Sequence, residues 1–177
     1  MRIPNEEHHR HGWWVEDYAR DFELLDLWQY PIEADSAEEF EDFLEVHDMA
    51  EMVKDTSIVV KALFALRVAL GQIFGWDRDA SQGERDSASA VGFIEVYGDH
   101  RELVMRTDNA TVTALMHLGW VELANGRYSA QMAVYAITKG RLGRGYMKLI
   151  APFRHGLVYP ALMRAGRRRW LARHAAN

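Results

Sequence analysis

The chain has 177 residues, 49% hydrophobic and 11% aromatic, enough to bury one core without staples, so a single domain over residues 1–177 is expected. It contains no cysteine, which excludes disulfides, thiolate metal sites and cysteine nucleophiles and makes a reducing cytoplasm the expected compartment. A formal net charge of −5 and a pI of 5.9 argue against a dedicated nucleic-acid binder, and no apolar run has the length of a signal peptide or a membrane span.

That charge is unevenly placed. Residues 1–57 carry 17 acidic against 4 basic side chains, whereas the chain from Lys139 onward carries ten basic and no acidic ones. The expectation is a basic C-terminal helix end, residues 164–177, lying against the acidic first third, with an exposed basic surface as the lesser reading. Residues 1–20 read as an N-terminal arm. Its His8, His9 and His11 have neither a fixed geometry nor a second ligand cluster, so no metal site is expected.

"DFELLDLWQY" (21–30) is rich in large side chains and too short before Pro31 for a helix, so a strand is predicted, with Phe22, Leu24, Asp26, Trp28 and Tyr30 on one face. "SAEEFEDFLEVHDM" places Ser36 and Glu39 as a capping box ahead of a stripe of Phe40, Phe43, Leu44 and His47, which predicts a first helix. A second, apolar on most sides, runs from Thr56 to Gly75, with Arg67 inside its apolar stripe. Residues 77–91 read as a surface loop.

Four stretches with strand character follow, at 92–97, 101–107, 110–123 and 127–138, separated by hairpin chemistry of which Asn125-Gly126 is the clearest case. They predict an antiparallel meander. From Leu142 a long helix is expected. Leu149, Ile150, Phe153, Leu157 and Ala161 fall within about 60° of Tyr146 on its wheel, and Pro152 should bend it. On that wheel Arg154 stands at the shoulder of the apolar stripe and His155 on the back with Lys148 and Tyr159.

The stretches "RIPNEEHH", "DFELLDLWQYP", "ALFALRVALGQIFGWD", "MHLGW" and "YSAQMAVYAITKGRLGRGYMKLIAPFRHGLVYPALMR" resemble the bacterial family catalogued as domain of unknown function 2867 (DUF2867), over most of the chain outside the 77–91 loop. The element order also resembles the helix-grip fold of the START, Bet v 1 and polyketide-cyclase (SRPBCC) superfamily. That resemblance implies an α+β fold in which a curved antiparallel sheet wraps around a long C-terminal helix, with two helices after the first strand. It further implies a space under the last helix in which such proteins hold lipids, sterols or aromatic polyketides, some cyclising or dehydrating them without a cofactor.

A carboxylate on an apolar strand face needs a partner, and Arg67 is the expected one for Asp26. The pair reads either as a structural ion pair or as the polar end of an apolar pocket. His117 is the best base candidate in the sheet region, although strand alternation puts it opposite the larger apolar set of Met116, Leu118 and Trp120. Gln131 is a candidate to orient a substrate carbonyl. Trp28, Trp120, Tyr146 and Phe153 would shape the cavity, with Arg154 at its rim.

The expected function is a cavity protein for a hydrophobic small molecule, working as a cofactor-independent enzyme of bacterial secondary metabolism through polyketide-type cyclisation or related acid/base chemistry. A non-catalytic carrier with the same cavity is the alternative. The third reading is a packed interaction protein that uses its basic C-terminal surface. No cofactor, nucleic acid or membrane insertion is expected, and a homodimer stays open.

Overall fold

The computed structural model describes residues 1–47, 93–108 and 111–175, apart from the side chains of Leu142 and Tyr146. The expected helix 56–75, with Arg67, and the expected loop 77–91 lie outside the described residues. Strands β1 (Glu23–Gln29), β2 (Ile94–Gly98), β3 (Glu102–Asp108), β4 (Val112–Glu122) and β5 (Tyr128–Thr138) make one antiparallel sheet in the order β1-β5-β4-β3-β2. Asn125 and Gly126 turn the chain between β4 and β5: Gly126 takes φ 78°, which favours glycine, and Asn125 Oδ1 accepts the Arg127 N–H at 3.1 Å.

A 3-10 turn, Asn5–Arg10, leads into the short helix α1 (Trp14–Tyr18), and α2 (Phe40–Val46) follows β1. At α2 the Glu39 carboxylate accepts the Asp35 and Ser36 N–H groups at 2.8 and 3.0 Å, so the glutamate half of the expected capping box is made. After β5 the chain runs through α3 (Gly140–Phe153), a π-helical turn (Arg154–Val158) and α4 (Tyr159–Ala175). The class is α+β, helix-grip-like, as the element order implied.

Both faces of the sheet are covered. On one, Trp28, Met116, Leu118, Trp120, Ala130 and Met132 pack against Phe40 and Phe43 of α2 and against Leu162, Met163 and Trp170 of α4. On the other, Trp13, Val15 and Ala19 of the N-terminal arm cover Leu27, Val104, Leu115, Val121, Ala133 and Tyr135. The acidic α2 meets the basic end of α4: Arg173 is paired with Asp42 and, at 2.8 Å, with Glu45, and His174 Nε2 lies 3.1 Å from Glu39.

Strand β1 departs from simple alternation. Leu24 pairs with Tyr135 and Asp26 with Val134, so Leu25 is an extra residue in a bulge. Phe22 and Leu24 therefore pack on the arm face, while Trp28 and Tyr30 pack on the helix face. The single face expected for residues 22–30 is corrected on this point, and Asp26 falls on the helix side.

The expected stripe of the last helix is corrected as well. Among the described residues the helix face of the sheet is covered by α2 and α4, and Leu149, Phe153 and Leu157 are 70%, 48% and 41% exposed. Ala161 of that stripe is buried as expected, and with it are buried Tyr159, Leu162, Met163, Ala165, Gly166 and Trp170. For the residues that follow it, the π turn is the reason. The Tyr159 N–H bonds the Arg154 carbonyl, five residues back, and one residue added to a turn rotates all that follows by about 100° against an unbroken helix.

Phe43 is fully buried, with ring centroids 5.1 Å from Tyr30, 5.6 Å from Trp120 and 6.4 Å from Trp170. Phe43→Ala should lower stability by about 3–5 kcal/mol, read as a shift of the urea midpoint with little change in its slope.

Candidate functional site

Asp26 is fully buried, and cations meet it from two directions. Arg154 Nη2 lies 2.9 Å from Oδ2, His155 Nε2 lies 2.5 Å from Oδ1, and Arg2 Nη2 stands 3.6 Å from Oδ1. These are ion-pair contacts, away from the angles of a good hydrogen bond. Arg2 arrives because the first residues extend the sheet beside β1: Ile3 N–H bonds the Leu27 carbonyl at 3.0 Å and Gln29 N–H bonds the Met1 carbonyl at 2.8 Å. Half exposed, Arg2 adds charge but little fixed geometry.

The π turn explains how neighbours in sequence reach one carboxylate. Pro152 and Pro160 bracket it, and Pro160 has no N–H to return to the helix, so the regular ladder is lost there. The wider turn brings Arg154 and His155 to the same side. His155, expected on the back of the helix, is thus a correction, and it makes the shortest of these three ion-pair contacts with Asp26.

Around this trio Trp28 and Tyr159 meet edge to face at 5.5 Å, and the Arg154 guanidinium lies 5.9 Å from the Tyr159 ring centre. Burial, with Asp26 adding to it and Arg154 opposing, pushes the Tyr159 hydroxyl above its usual range. It stays protonated at neutral pH and able to donate. Among the described residues the buried Trp28 Nε1 and Arg154 Nε have no acceptor.

His117 does not join Asp26; it faces the arm, so the two expected members of one site lie on opposite faces of the sheet. There it forms a second polar centre. His117 Nε2 is 3.1 Å from Glu102 Oε2, and Glu102 also accepts the N–H groups of Trp14 and Val15 at 2.8 and 3.3 Å, capping the start of α1. Burial would raise the Glu102 carboxyl, but His117 and these amides outweigh it and hold it below its usual range. Burial lowers the His117 imidazole below its usual range, with Glu102 opposing the shift.

Fully buried His8 stacks its ring edge on His117 with centroids 5.0 Å apart, and it lies 5.6 Å from the Tyr135 ring. Among the described residues neither nitrogen of His8 nor the Tyr135 hydroxyl has a hydrogen-bond partner. Gly119 makes room for this packing: a Cβ there would stand 2.9 Å from the Trp13 ring and 2.7 Å from His117.

Of the other expected residues, Gln131 is buried with its Oε1 unpartnered, in register with Gly119 on the arm face. Trp120 packs with Phe40, Phe43 and Trp170 and donates Nε1–H to the Ser36 carbonyl at 3.2 Å, a core role. Arg67 and the Tyr146 side chain lie outside the described residues. Arg2, His155, Tyr159 and the buried arm centre escaped the sequence reading. The two prolines eight residues apart were the available signal for the irregular turn.

Among the described residues no group of three or more His, Asp or Glu side chains is arranged to hold a metal ion, and no helix is long and apolar enough to cross a membrane. Residues 18–161 match the family described as "Protein of unknown function (DUF2867)". No curated protein and no solved structure matches the chain.

The arm centre makes stability depend on pH. Burial and the neighbouring His117 depress His8 to about 2, well below the value of about 6.5 it has when the chain is open. The closed state therefore binds fewer protons, and the contribution is intact above pH 6.5 and lost progressively as pH falls below it, by up to about 1.4 kcal/mol per pH unit. Urea midpoints measured from pH 8 to pH 4.5 should fall on acidification, and His8→Phe should make that fall shallower.

Proposed function

We propose that this chain, which belongs to the DUF2867 family, binds a hydrophobic small molecule beside Asp26 and acts on it by cofactor-independent acid/base chemistry, with His155 as the base. The observation that carries the reading is the 2.5 Å contact of Asp26 Oδ1 with His155 Nε2, made by a fully buried carboxylate to an imidazole that is 30% exposed. The negative charge of the carboxylate beside Nε2 favours the tautomer with the proton there over one that turns a lone pair toward it. That leaves the lone pair on Nδ1, and Asp26 stabilises the imidazolium formed when Nδ1 takes a proton.

Arg154, 14% exposed and held on the other carboxylate oxygen, supplies fixed positive charge for an oxyanion that develops as the proton leaves. Tyr159, kept protonated, is a second donor close by. An unbroken helix could not present Arg154 and His155 together, and π turns recur at functional sites. The finer reading, a cyclisation of polyketide type in bacterial secondary metabolism, is supported by the helix-grip-like element order and by the aromatic pair of Trp28 and Tyr159.

The competing reading is a carrier in which Arg154 and His155 only neutralise Asp26. Exchange of the acidic protons of a bound aryl 1,3-diketone in D2O separates the two. The protein should accelerate exchange, and His155→Ala should lower that acceleration roughly 10²- to 10⁴-fold while the diketone still binds. Binding without acceleration by the parent protein supports the carrier.

A further inference from the structure

The Asp26 centre holds more positive charge than its one carboxylate balances, and the Asp26 oxygens take ion-pair contacts rather than hydrogen bonds of good geometry from the donors around them. Two guanidinium groups, Arg2 and Arg154, and the His155 imidazole share one carboxylate. Even with His155 neutral, this group of side chains carries one excess positive charge. Among the described residues two buried N–H groups, Trp28 Nε1 and Arg154 Nε, have no acceptor, and the third nitrogen of Arg154, Nη1, reaches the Met147 sulfur at 4.0 Å. The groups are contiguous, because Arg154 lies against the Tyr159 ring and Tyr159 against Trp28.

Buried donors left without acceptors are costly, and a partner that only accepts removes that cost. Carboxylate oxygens do so and also balance the excess charge, and guanidinium groups bind them in a fixed fork. An alcohol brings a donor of its own, and an ammonium group brings only donors and the wrong charge.

Exposed apolar residues flank Arg154 and His155 along the same helix. Phe153 immediately precedes Arg154, Leu157 follows His155 by two residues, and Leu149 lies one turn before Phe153; all three are exposed. We infer that the ligand of this site is a small amphiphile with a carboxylate head, seated on the unpartnered donors of Arg154 and Trp28, and an apolar body lying along Phe153 and Leu157. This rests on the proposed small-molecule site beside Asp26 and adds the chemistry of its ligand: charge complementarity selects a monomeric carboxylate over a neutral or cationic molecule of equal apolar size.

Three probes with the same ten-carbon tail test it by isothermal titration calorimetry at pH 8: decanoate, decanol and decyltrimethylammonium, each below its micelle concentration. Decanoate should bind at least tenfold more tightly than the other two, and added salt should narrow the difference. Trp28→Phe keeps an aromatic ring but removes the Nε1–H; it should weaken decanoate several-fold and leave decanol unchanged, and Arg154→Gln should abolish the preference. If all three bind equally, or the cation binds best, the carboxylate inference is wrong while the apolar site stands. If none binds, the small-molecule reading of the site fails with it.

Discussion

A carboxylate buried between a sheet and a helix constrains the rest of this molecule. Asp26 is fully buried on β1, where an unpaired charge costs several kcal/mol on the order seen for buried ions, so whichever element covers it must bring positive charge. The covering element here is the C-terminal helix, and the compensation comes from Arg154 and His155, with Arg2 closing the edge. The break in that helix follows from the same demand. A π turn between two prolines lets consecutive residues serve one carboxylate and resets the helix so that Tyr159, Leu162, Met163 and Trp170 become the buried side.

The sheet separates two polar centres. Asp26 looks toward the helices, where unpartnered donors adjoin it and exposed apolar residues flank Arg154 and His155. His117 looks toward the arm, where Glu102 and His8 enclose it. The first ends in groups that a ligand can satisfy; the second sets two buried imidazoles, whose protonation burial opposes, beside the Glu102 carboxylate. One segment touches both, since the arm starts at Arg2 beside Asp26 and continues to His8 and Trp13 on the opposite face. Acid that loosens His8 therefore also bears on the edge of the Asp26 centre.

Much of the fold was legible in the sequence because local rules decide it. Asn125-Gly126 fixed the last hairpin, Ser36 and Glu39 marked the entry to α2, and alternation placed the meander strands to within a residue or two. Asp26 was legible as a buried carboxylate, and so were its companions on that face, Trp28 and Tyr30. Its partners were not. A wheel of 100° per residue cannot anticipate a five-residue turn, so it placed His155 on the outside and Leu157 on the inside. The bulge at Leu25 similarly split a face that alternation kept whole. The arm centre was missed because His8, Glu102 and His117 meet only through packing between segments far apart in the chain.

The central claim is that the π turn seats the His155 imidazole on Asp26 through Nε2, leaving Nδ1 free to take a proton. Long-range proton–nitrogen NMR of the His155 ring at pH 8 tests it directly. The account predicts a single tautomer, with the proton on Nε2, that becomes a mixture in Asp26→Ala. A ring protonated on Nδ1, or one already averaging between tautomers in the parent protein, would contradict it.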